Sequence, residues 1–153
     1  MLDDALILIV EDREDDIAII LKAFEQAKLK NPVTVVRDGA EAIQYLDHQG
    51  AFADRAKYPL PHLILLDLKM PGVDGFEVLR WVRSQKHLGG ILIVVLSISN
   101  HIPDVNQAYQ LGANSFLIKP DDFHNVTNLS MLLRDYWLFG DKAPANVRPP
   151  APS

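Results

Sequence analysis

Four short runs of apolar, largely β-branched residues punctuate the chain: Leu6 to Val10, Val33 to Val36, Leu63 to Leu66 and Ile91 to Leu96, with a shorter fifth at Ser115 to Ile118. Their apolarity is continuous rather than alternating, the mark of strands covered on both faces. The intervening stretches carry helical spacing: Ile17, Ile20, Leu21 and Phe24, then Ala42, Ile43 and Leu46, then Val78, Leu79 and Val82. Strands alternating with helices predict a parallel sheet covered on both sides, because each right-handed crossover needs a helix to span it. Five such units make an α/β, flavodoxin-like (βα)5 doubly wound sandwich, a fold type for which the expected strand order is 2-1-3-4-5. Asp38-Gly39 reads as the turn opening the second helix, and Gly112 as the close of the fourth.

The long connection from Asp47 to Pro61 exceeds the two to six residues usual between a helix and a strand, and reads as an insertion. In the fifth helix, Val126, Leu129, Leu133 and Trp137 form one stripe, while Met131 and Leu138 lie opposite at a spacing of seven. That second stripe calls for cover. Leu138 and Phe139 fold back onto their own domain, or Asp135 to Gly140 joins the proline-rich tail 141–153 as an arm that dimerises or docks on a partner. The expected organisation is one domain, 1–140, followed by an extended C-terminal arm, 141–153.

Composition narrows the function. The chain has 153 residues, enough for a single core. A net charge of −5 without a Lys/Arg cluster argues against nucleic acid as a partner. There are no cysteines, which excludes disulfides and thiolate metal sites and fits a reducing, cytoplasmic setting. Neither a signal peptide nor an apolar run of membrane-spanning length is legible.

Candidate chemistry gathers at the strand ends, where ligands bind in open parallel sheets. The first strand runs into Glu11 and Asp12, the third into Asp67, the fourth into Ser97 and the fifth into Lys119-Pro120. Taken singly, Glu11 and Asp12 could cap the next helix, and Asp67, Ser97 and Lys119 could be loop or surface residues. Taken together, three carboxylates at one end of a sheet need a cation. An all-oxygen set without His or Cys selects Mg²⁺ or another hard ion. Asp67 can then act as a nucleophile that forms an acyl phosphate, with Lys119 and the Ser97 hydroxyl facing phosphoryl oxygens.

These segments carry a resemblance. Leu8-Ile9-Val10-Glu11-Asp12, Leu65-Leu66-Asp67-Leu68-Lys69-Met70-Pro71-Gly72-Val73-Asp74-Gly75, Val95-Leu96-Ser97 and Leu117-Ile118-Lys119-Pro120 resemble the receiver domain of two-component response regulators over residues 6 to about 138. The long connection before the third strand resembles the single-domain regulators that partner phytochrome-type and other hybrid histidine kinases. The resemblance implies Asp67 as phosphoacceptor, with Glu11, Asp12, Asp67 and the backbone carbonyl of Lys69 as Mg²⁺ ligands. It implies Lys119 as the phosphoryl-pairing lysine, Ser97 and Phe116 as switch residues, and a cis Lys119-Pro120 bond. Ile98 stands where the family usually has a small residue, and Lys69 and Ser99 flank the water that ends the signal, so these three tune the site.

The chain is therefore read as a phosphorelay switch that catalyses its own phosphorylation and dephosphorylation and signals by contact, the expected partners being a cognate histidine kinase and a second copy through Met131, Trp137, Leu138 and Phe139. An aspartate-nucleophile phosphohydrolase is disfavoured, because those enzymes usually carry a second Asp where this chain has Lys69. A receiver-like docking or dimerisation module that is never phosphorylated is the remaining alternative.

Overall fold

A computed structural model describes residues 4–98 and 101–119, together with residues 130, 131 and 134. Five parallel strands, β1 (Ile7–Val10), β2 (Val33–Val36), β3 (Leu63–Asp67), β4 (Leu92–Ser97) and β5 (Ser115–Ile118), form one sheet in the order β2-β1-β3-β4-β5. Helices α1 (Glu14–Gln26), α2 (Gly39–Leu46), α3 (Gly75–Ser84) and α4 (Ile102–Gln110) make the crossovers. The doubly wound, flavodoxin-like topology predicted from the alternation is the one found.

Alternate residues of the central strands feed two cores, as the pleat requires. Leu8, Val10, Ile64, Leu66, Ile93 and Val95 face α2, α3 and α4, and meet Val78, Leu79 and Val82. Ile7, Ile9, Leu63, Leu65, Val94 and Leu96 face α1, and meet Ile20, Ala23 and Phe24.

Some positions depart from the sequence reading. Leu21 is 41% exposed, and Ile19 takes its place on the buried face of α1. In α2, Tyr45 is fully buried while Ile43 is half-buried. Three of the four β2 residues are half-buried and Ile118 is exposed, because β2 and β5 are edge strands with one neighbour each.

Asp38 and Gly112 punctuate the second and fourth helices where the sequence reading places them, and Asp74 punctuates the third. Asp38 caps α2 by accepting from the Glu41 amide at 2.7 Å, and Asp74 caps α3 through the Glu77 amide at 3.0 Å. Gly112 ends the α4 segment with φ +107°, where a Cβ would lie 2.7 Å from Arg83 Cγ. That arginine ties α3 to the start of β4 and the α4–β5 turn, donating to Gly112 O, Ile91 O and Asn114 Oδ1.

The 47–61 connection is packed. Phe52 packs tilted and Tyr58 edge-on against Tyr45, with ring centroids 5.2 Å and 6.0 Å away, and the Tyr45 hydroxyl donates to Pro59 O at 2.8 Å. The insertion thus forms an aromatic satellite of the core on the α2 side.

Met131 is helical and 55% exposed, and the Ser130 hydroxyl donates to Ala23 O at 2.9 Å. Trp137, Leu138, Phe139, Ser99, Pro120 and the 141–153 arm lie outside the described residues, as does the expected cis bond.

Candidate functional site

Parallel pairing brings the four chemical strand ends to one edge of the sheet. Val10 is in register with Leu66, and Asp67 with Leu96, so Glu11 and Asp67 leave adjacent strands side by side. Ser97 ends β4 in register with Ile118, and the Lys119 amide donates to Ser97 O at 2.8 Å. Asp67, Ser97, Glu11 and Lys119 are all buried.

Carboxylate oxygens of Glu11, Asp12 and Asp67 lie within 4.8 Å of one another, a group able to hold a metal ion. Neither Glu11 nor Asp12 caps α1: the N-cap is Arg13, which makes no side-chain cap bond. The capping explanation open for Glu11 and Asp12 therefore fails. Asp12 Oδ1 is buried without a hydrogen-bond partner among the described residues, and an unsatisfied carboxylate oxygen in that place fits a cation.

Lys119 holds the acids together. Its ammonium makes a very short contact with Glu11 Oε1, lies 3.0 Å from Asp16 Oδ2 and 3.3 Å from Asp67 Oδ1. Burial pushes the Glu11 carboxyl up to about 8, reinforced by Asp67 and opposed by Lys119. Burial would also lower Lys119, but the contacts with Glu11, Asp67 and Asp16 outweigh it, and its affinity for a proton ends above the ordinary lysine value. For Asp16, burial is outweighed by Glu11 and Lys119, which leaves its carboxyl below the usual range.

Around this centre, Ile98, Lys69 and Phe116 occupy distinct surroundings. Ile98 is 74% exposed beside Ser97. Lys69 reaches Asp104 on α4 at 3.3 Å, an ion pair linking the loop after β3 to α4. Phe116 is buried, and its amide donates to the Tyr109 hydroxyl at 3.0 Å.

Asp16 escaped the sequence reading because it follows no strand. The available signal was its position in the first turn of α1, four residues after Asp12, where a helix faces the sheet's ligand end.

A doubly wound parallel sheet with an acidic, lysine-bearing crevice at its strand ends defines an aspartate-centred receiver architecture. Residues 7–129 match the model of the response regulator receiver domain, and the chain belongs to that family. It is 36% identical over 143 residues to the probable methanogenesis regulatory protein FilR2 of Methanothrix harundinacea, covering 93% of this chain and 89% of that one. Among solved structures it is similar to the phosphorylated cyanobacterial phytochrome response regulator RcpA. That match has a TM-score of 0.81 and 34% identity, and covers 89% and 95% of the two chains. The Mn²⁺-bound form of response regulator Rcp1 matches with a TM-score of 0.80 and 31% identity, over 92% and 99%. The resemblance to phytochrome-associated regulators is thus shared by sequence and structure. No helix among the described residues is long and apolar enough to cross a membrane.

Proposed function

We propose that this receiver accepts a phosphoryl group from a histidine kinase on Asp67 and signals by a change in protein contacts. The observation that carries the reading is the Asp67 carboxylate, 3.3 Å from the Lys119 ammonium and grouped with Glu11 and Asp12.

An Asp67 carboxylate oxygen attacks the phosphorus of the phosphohistidine. The P–N bond breaks, its electron pair stays on the imidazole, and an acyl phosphate forms on Asp67. Lys119 donates to a phosphoryl oxygen and compensates its charge, and the Ser97 hydroxyl donates to another. Glu11, Asp12, Asp67 and the Lys69 backbone carbonyl would hold Mg²⁺. When bound, the ion neutralises the acids and the charge of the transferred group. Water later cleaves the acyl phosphate, releasing phosphate and restoring the carboxylate.

Movement of Ser97 onto the phosphoryl group, followed by Phe116, would carry the change to the α4 and β5 surface, where Ile102 and Ile118 are exposed. RcpA in its phosphorylated form and Rcp1 with Mn²⁺ support this chemistry by similarity. By the same similarity the proposed donor is a phytochrome-type or other hybrid sensor kinase. The C-terminal arm, with Met131, Trp137, Leu138 and Phe139, is the proposed contact with a second copy.

Incubation with Mg²⁺ and acetyl phosphate, followed by intact mass, tests the reading. Wild type should gain one phosphoryl group and Asp67→Asn none. Wild type without an Asp67-dependent gain would leave a docking module instead.

A further inference from the structure

Lys119 has one acidic neighbour more than its role requires. Glu11 and Asp67 both belong to the carboxylate group that can hold an ion, and Asp16 does not. With an ion bound, Glu11 and Asp67 would serve as its ligands, and Asp16 would remain the acid paired with the lysine alone. Asp16 is no solvated surface charge: its side chain is 14% exposed, and Oδ2, the atom 3.0 Å from Lys119 Nζ, also lies 3.4 Å from Arg13 Nε. Arg13 is 68% exposed and pins this oxygen from the solvent side.

We propose that Asp16 is a positioning residue, setting how readily Asp67 carries a phosphoryl group by holding back the ammonium of Lys119. The inference rests on the reading that Asp67 accepts that group. The ammonium has three N–H donors; it donates to Glu11 and Asp16 and lies 3.3 Å from Asp67 as an ion pair. A phosphoryl group on Asp67 brings strong acceptors that must win a donor from an existing partner. A bound ion would engage Glu11 and Asp67, whereas Asp16 lies outside the group that can hold one, so the contact to Asp16 is the one that resists. Its anchorage on the first turn of α1 keeps it from following the lysine outward. Asp16 thereby weakens the phosphorylated state.

Beryllium fluoride, a phosphoryl mimic, titrated at saturating Mg²⁺ is the test. Asp16→Asn should bind the mimic about three- to tenfold more tightly than wild type, the gain from freeing one charge-assisted hydrogen bond. Asp15→Asn removes the same charge from the same turn at an exposed position and should stay within about twofold, since exposed charges are screened. The ¹H–¹⁵N signal of the Lys119 ammonium in the unliganded protein should move in Asp16→Asn and not in Asp15→Asn, a change that loss of helix stability alone would not produce. Asp16→Ser must shift affinity in the same direction, so the outcome does not depend on one variant folding. Mimic affinity in Asp16→Asn equal to that of Asp15→Asn, or weaker than wild type, overturns the inference while leaving Asp67 as acceptor. Wild type that does not bind the mimic overturns both.

Discussion

Replacing Gly75 with alanine should damage the site from behind. A Cβ on Gly75 would sit 2.3 Å from the carbonyl oxygen of Asp67, 2.6 Å from Leu68 Cα and 3.0 Å from the Asp67 carbonyl carbon. All three are main-chain atoms, so no rotamer change relieves the clash. Restoring ordinary contact requires the end of β3 and the start of α3 to part by about 1 Å, and overpacking of this kind costs roughly 1–3 kcal/mol. Helix propensity works in the opposite direction, favouring Ala over Gly by about 1 kcal/mol. The sign of the change therefore discriminates.

A shift of about 1 Å in Asp67 relative to Lys119 should also slow labelling, by up to about a hundredfold if the geometry is not recovered. Urea unfolding gives the stability, and the initial rate of mass gain with acetyl phosphate and Mg²⁺ gives the chemistry. Gly72→Ala is the control: φ is +74° and nothing lies within 4 Å of a Cβ, so it should lose about 1 kcal/mol to backbone strain and label almost normally. Gly75→Ala with unchanged or higher stability and wild-type labelling would refute the argument.

Three further outcomes are expected. Without metal, Glu11 keeps its proton to about pH 8 instead of its ordinary 4.5, so the native state holds an extra proton across that window. This contribution to stability declines as pH rises from 4.5 through 8, while Mg²⁺ affinity, which requires the proton to leave, should rise about tenfold per unit from pH 6 to 8 and then level off. Calorimetric titration across that range measures it, and a flat profile would contradict the assignment. Tyr45→Phe removes the bond to Pro59 O and should cost about 1 kcal/mol in urea unfolding without changing the labelling rate. Ile98→Ala should speed phosphorylation by acetyl phosphate or loss of the phosphoryl group, because a bulky exposed side chain stands beside Ser97; unchanged rates for both would remove Ile98 as a gate.

Much of the site was legible because its residues are tied to strands. Continuous apolar runs locate strands, a parallel sheet presents its carboxyl ends to ligand, and Glu11, Asp12, Asp67, Ser97 and Lys119 each lie at or just beyond such an end. The exchange of Leu21 for Ile19 was not legible. The apolar stripe of α1 is wider than its contact with the sheet, and the docking angle selects which part is covered. Nor was the packing of the 47–61 connection, since Phe52 and Tyr58 show no periodicity and find Tyr45 only after the chain turns back.

The amino-acid sequence by itself determined the alternation of strands and helices and the acidic set at the strand ends, because these follow from local periodicity and from which residues come directly after each strand. Tertiary structure decided which strands became half-buried edges, and it placed Asp16 against Lys119. Those two residues are 103 positions apart, one on a helix and one just past a strand, and only the packing of α1 across the sheet sets their 3.0 Å contact.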